Sequence, residues 1–182
     1  MYTQQWLAVT NAQVLRFFFE HLRDVSEDSV APERELLYNA SVLAHFATTS
    51  TAGGEEFPRT PVSLAAVFDV FVMDQSQHTD PEIMEAAGSQ CLLLTGFFGA
   101  QLRTRHNIEW YASLGASFYD RAARYGHDPA RADVMRVMSG RFGFWRTQHS
   151  RLARELHDLP KLVTGRADRS DGAAAGEGSS AI

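Results

Sequence analysis

The stretch Asp80-Pro81-Glu82-Ile83-Met84-Glu85-Ala86-Ala87-Gly88-Ser89-Gln90-Cys91-Leu92-Leu93-Leu94-Thr95-Gly96-Phe97-Phe98-Gly99-Ala100-Gln101-Leu102 decides the fold class. It opens on a helix start signal. An aspartate can cap the first free N–H groups, a proline takes the first helical position, where a missing N–H loses nothing, and an acid follows where the helix dipole favours negative charge. From there Ile83, Met84, Ala87, Cys91, Leu94, Phe98 and Leu102 recur at steps of one to four, an apolar stripe along one helical face. The spacing predicts one helix reaching about His106. Gly88, Gly96 and Gly99 lie inside it, where glycine costs about 1 kcal/mol relative to alanine. They are therefore expected to mark close helix packing, or a kink near Gly96.

The same grammar repeats on both sides. Downstream, Asn107 caps a helix with Ile108, Tyr111, Gly115, Phe118, Ala122 and Tyr125 on one face, and Gly126 stops it. Asp128-Pro129 starts a short helix that takes Val134, Val137 and Met138 inward, and Ser139-Gly140 and Gly143 interrupt or bend it. Phe142, Trp145, His149, Leu152 and Leu156 then form a stripe to about Leu159, and Pro160 ends it. Upstream, Thr10-Asn11-Ala12-Gln13 has the form of a capping box, ahead of a helix to about Val25 that buries Val14, Phe17, Phe18 and Leu22. Pro32, with Glu33 and Glu35, starts a helix to about Ala47 that buries Leu36, Leu37, Ala40, Leu43 and Phe46. Thr48 to Pro61, rich in Thr, Gly and Pro, reads as the longest internal loop. Val62–Asp74 fits a buried strand or a buried helix, and its length, its paired alanines and the lack of a partner strand favour helix.

The expected architecture is all-α: a single-domain bundle of about six helices over residues 1–160, with 161–182 a flexible tail. From Gly165 onward the chain is mostly Gly, Ala, Ser and Asp with almost nothing to bury, which predicts disorder there. A length of 182 residues and 20.3 kDa suits one domain, and 45% hydrophobic with 21% charged residues is ordinary globular composition. Cys91 is the only cysteine, so no disulfide framework exists. The most apolar run, Cys91 to Ala100, is about half the length a membrane helix needs. The start shows no basic segment followed by an apolar one, so no secretory signal is read. These features together describe a soluble, cytoplasmic, bacterial-type protein.

Charge is uneven. Residues 1–90 hold four arginines against thirteen acids, and residues 91–182 hold thirteen basic groups against nine acids, so a net of −9 and a net of +4 make up the overall −5. All basic residues except Lys161 are arginine. An acidic whole argues against general nucleic-acid affinity. Either the halves neutralise each other within the fold, or the basic half meets an acidic partner.

Signatures of chemistry are sparse. No glutamate has a histidine three residues later, as di-iron bundles need, and there is no His-Glu-x-x-His. Asp74 with His78, and His149 with His157 and Glu155, are unspecific as metal ligands. His45 beside Phe46 and His149 near Trp145 are the candidates for a ligand pocket, including an axial haem position. No metal and no cofactor is assigned. Cys91 sits mid-helix among apolar residues, where a thiol is ordinarily inert packing. No Gly-x-Ser-x-Gly elbow and no phosphate-cradling loop is present. Arginines and aromatics concentrate at one place: Arg141, Phe144, Arg146, Arg151 and Arg154, residue types enriched at binding hot spots, are the interface candidates.

Leu94-Thr95-Gly96-Phe97-Phe98-Gly99-Ala100-Gln101-Leu102, then Arg105-His106, Trp110-Tyr111, Leu114-Gly115 and Tyr119, resembles a segment of uncharacterised bacterial all-helical proteins with a similar order of Gly-Phe-Phe, basic residue, aromatic pair, Gly and Tyr. The resemblance covers residues 92–122, a sixth of the chain. That group has no established activity, so the resemblance implies a signature corner of the fold and no catalytic residue.

The sequence thus leans away from an enzyme. The expectation is a non-enzymatic adaptor, regulatory or assembly protein that binds another protein or itself. The alternative is a helical-bundle enzyme or sensor with a metal, haem or small ligand in its core. The third reading is nucleic-acid binding through the basic half.

Overall fold

A computed structural model describes residues 11–27, 31–51, 72, 78–104 and 107–158. Seven α-helices and one π-helical turn make up these residues: α1 (Asn11–Val25), α2 (Glu33–Thr51), α3 (Pro81–Leu92), the π turn (Leu93–Phe97), α4 (Gly99–Leu102), α5 (Ile108–Tyr125), α6 (Pro129–Gly140) and α7 (Phe142–Asp158). The fold is all-helical, and no strand occurs among the described residues. No helix among them is long and apolar enough to cross a membrane. The capping box at Thr10, the helix-or-strand stretch 62–74 and the tail lie outside the described residues, except Val72, whose side chain packs against the core.

Local signals set the helix starts. Asp80 Oδ1 accepts hydrogen bonds from Glu82 N–H at 2.9 Å and Ile83 N–H at 3.1 Å, Asn107 Oδ1 accepts from Trp110 N–H at 3.2 Å, and Asp128 Oδ1 accepts from Ala130 N–H at 2.9 Å. Helix α2 runs on to Thr51, past the expected end at Ala47. The hydroxyls of Thr48 and Thr49 donate back to the carbonyls of Ala44, His45 and Phe46, so these polar side chains are satisfied within the helix.

The long helix expected from Pro81 to His106 is broken. It changes to π geometry at Leu93–Phe97 and ends at Leu102, so the helix count rises. Phe98 N–H donates to Leu93 O, five residues back, at 2.9 Å. Two side chains stabilise the widened turn: Thr95 Oγ1 donates to Cys91 O at 2.7 Å, and Ser150 of α7 donates to Gly96 O at 2.9 Å. Gly96 permits this, because a methyl there would stand 2.9 Å from His149 Cβ and 3.1 Å from Arg146 O.

Helices α3 and α5 pack antiparallel through small residues. A methyl on Gly88 would touch the Tyr119 ring at 2.9 Å, and one on Gly115 would meet Cys91 Cβ at 2.6 Å. The glycines at this seam are therefore Gly88 and Gly115. Gly96 instead admits α7, and among the described residues a methyl on Gly99 would meet only Leu94 O, at 3.9 Å. Helix α6 packs on α5, α1 on α2, and α7 crosses the π turn and reaches α1. Their buried side chains form one core cluster around Trp145, Tyr119, Phe118 and Leu43. Four residues expected inside are exposed instead: Phe17, Leu37, Tyr125 and Val137. Phe17, Leu37 and Val137 each adjoin a buried residue of the stripe (Phe18, Leu36 and Met138) but are turned about 100° from it, and Tyr125 is the last residue of α5.

Candidate functional site

Three constellations build on this frame. The first joins α2 to α7. Glu35 and Asn39, four residues apart on α2, are both buried. Glu35 Oε1 accepts from Arg141 Nη1 at 2.8 Å and its Oε2 accepts from Trp145 Nε1 at 2.8 Å. Asn39 Nδ2 donates to Glu35 O at 2.9 Å, which leaves Asn39 Oδ1 to accept from His149 Nε2 at 3.0 Å. The proton of the neutral imidazole therefore sits on Nε2. His149 is fully buried, and desolvation drives its pKa down to about 3. Its Nδ1 meets no hydrogen-bond partner among the described residues. This network makes α7 register against α2 and takes His149 out of acid–base work near neutrality.

The second constellation is a cleft of about 550 Å³ between α2 and α3, with Arg131 of α6 at one side. Tyr38, Val42, His45, Phe46 and Thr49 line it from α2, Glu82, Glu85, Ser89 and Gln90 from α3, and Leu93 from the π turn. Behind its wall three hydroxyls meet: Ser89 Oγ lies 3.1 Å from both the Tyr38 and the Tyr119 phenol oxygens, which are 3.4 Å apart. Burial raises both phenol pKa values well above their usual range. Glu85 pairs with Arg131 Nε at 2.6 Å.

The third is a groove of about 810 Å³ where the π turn and α4 face the end of α7. Its floor is Phe97, Phe98, Ala100, Ala153 and Leu156, and Arg103, Arg154 and His157 are among the residues that line it.

The sequence candidates separate accordingly. Among the interface set, Arg141 holds Glu35 and lies 4.4 Å over the Phe144 ring, Arg146 holds Glu109 through two hydrogen bonds of 2.9 and 2.7 Å, and Arg151 donates to Val25 O at 3.4 Å, at the end of α1. These three bind within the chain. Phe144 is half-buried beside Trp145, with ring centroids 5.1 Å apart. Arg154 is exposed on the groove and donates only to Ser150 O of its own helix, at 3.3 Å, among the bonds the structure records. Of the ligand candidates, His45 lines the α2–α3 cleft, whereas His149 lies in the core. Cys91 is buried and its thiol pKa is pushed up to about 12, so it stays protonated. Among the described residues no three His, Cys, Asp or Glu side chains group as metal ligands.

Sequence reasoning gave no functional role to Glu35, Asn39, Tyr38, Ser89 or Tyr119. The only available signal was spacing: Glu35 and Asn39 share one face of α2, as Trp145 and His149 share one face of α7. No protein-family model, curated protein or solved structure matches this chain.

Proposed function

We propose that this chain is a non-enzymatic interaction protein, acting in the cytoplasm, that receives an acidic amphipathic helix of a partner protein in the groove between the π turn and α7. The observation that carries this reading is the groove itself: an aromatic and aliphatic floor lined also by two guanidiniums and an imidazole. Apolar burial supplies affinity, and the basic groups select an acidic polar face. Arg154 faces the partner. Arg141, Arg146 and Arg151 act indirectly by holding α7 in place. The protonated Cys91 and the neutral His149 favour binding over catalysis, because neither is poised to attack or to exchange a proton at neutral pH.

The test is fluorescence anisotropy with two labelled synthetic amphipathic helices that share an apolar face and carry either glutamates or lysines opposite. The acidic peptide should bind and the basic one should not. Reversing both rim charges (Arg103→Glu with Arg154→Glu) should weaken the acidic peptide about tenfold. Equal binding of the two peptides, or an affinity untouched by the reversal, would sink the proposal.

A further inference from the structure

The cleft between α2 and α3 is separate from that groove and has a different chemistry. Its polar wall presents acceptors. When Tyr38 donates to Tyr119, Tyr119 can donate to Ser89 and Ser89 to Tyr38, so the three hydroxyl protons are used within one ring. What remains for an incoming group is oxygen lone pairs. Glu82 and Glu85 stand one turn apart on the same wall, and Arg131 gives its Nε–H to Glu85, so the carboxylates outnumber the guanidinium two to one. Val42, Phe46 and Leu93 supply an apolar part of the wall, beside His45 and beside Ser41 and Thr49, whose hydroxyls donate to carbonyls of their own helix.

Two carboxylates against one engaged guanidinium favour a cation. A wall of acceptors favours a group made only of donors, and an ammonium is such a group. An anion would instead meet two carboxylates, Glu82 and Glu85, against the one guanidinium. The volume of about 550 Å³ suits a small molecule. We infer that this cleft binds a small organic ammonium compound, with its charged nitrogen at Glu82, Glu85 and Ser89 and its apolar body against Val42, Phe46 and Leu93.

Three probes of one shape and different charge test this on the full chain: phenethylamine, phenethyl alcohol and phenylacetate, titrated by calorimetry and by amide chemical-shift perturbation. The amine should bind and shift amides on α2 and α3. The alcohol should bind about tenfold weaker, because it lacks the charged hydrogen bond. Phenylacetate should not bind. Glu82→Gln, at an exposed position in the first turn of α3, should weaken the amine while lowering the melting temperature only slightly. Tyr38→Phe, which opens the hydroxyl ring but keeps the aromatic ring, should weaken it too. Failure of the amine to bind at millimolar concentration, phenylacetate binding as well as the amine, or amine affinity unchanged in both variants would each overturn the inference.

Discussion

Gly115→Ala adds one methyl group at the seam between α3 and α5, and the structure gives that methyl no room. It would lie 2.6 Å from Cys91 Cβ, 2.6 Å from Phe142 Cζ and 2.7 Å from Phe142 Cε2. Carbon atoms rest at about 3.5–4.0 Å, so each contact must open by roughly 1 Å. Neither neighbour can swing aside. Cys91 Cβ is fixed by the backbone of α3, and Phe142 is buried at the start of α7, its ring centroid 6.1 Å from that of Tyr119. The helices must therefore separate. Overpacking of this kind costs about 1–3 kcal/mol, and alanine recovers about 0.5–1 kcal/mol through its better helix propensity. The net loss of about 1–2 kcal/mol should lower Tm by about 2–8 °C in a fold of this size. Gly143→Ala is the control. Among the described residues nothing lies within 4 Å of a methyl at Gly143, so the same chemical change should raise Tm slightly. Thermal melts followed by circular dichroism compare the two. If Gly115→Ala is as stable as the parent, or if both variants shift Tm in the same direction, the packing argument is wrong.

Two further outcomes follow from the α2–α7 network. His149 has a folded pKa of about 3 against an ordinary 6.5, so below pH 6.5 the unfolded chain takes up a proton that the folded chain refuses. Stability should fall as pH drops from about 6.5 toward 3, by about 2 kcal/mol at pH 5. Urea melts of the parent and of His149→Gln at pH 7 and pH 5 would show it, and an equal pH dependence in both would reject the assignment. Glu35→Gln should cost about 2–3 kcal/mol, because it leaves the partly buried Arg141 uncompensated. Glu109→Gln should cost under about 1 kcal/mol, since Glu109 is 78% exposed in its pair with Arg146. Equal losses in chemical denaturation would mean that burial does not set the worth of these pairs.

The candidate sites were less legible than the fold. Arg146 and Arg151 read as a free surface in the sequence because their partners, Glu109 and Val25, are far away along the chain. His45 and His149 read as equivalent pocket histidines, yet one lines a cleft and the other is sealed in the core. Periodicity names the face of a helix, but the width of its neighbour decides how much of that face is covered. Leu37 belongs to the apolar pattern of α2 and is still 50% exposed.

The all-helical class, the starts of α3, α5 and α6 and the break between α6 and α7 belong to the sequence alone. Their causes act within a few residues: the carboxylates of Asp80 and Asp128 and the amide of Asn107 bond N–H groups two or three positions on. Tertiary structure decided the rest. The π turn needs Ser150 to hold Gly96 O and α7 to lie against Gly96. The network of Glu35, Asn39, Arg141, Trp145 and His149 closes across more than a hundred residues. A cap is satisfied by its own backbone, whereas a buried carboxylate or imidazole is satisfied only by whatever the packed helices bring beside it.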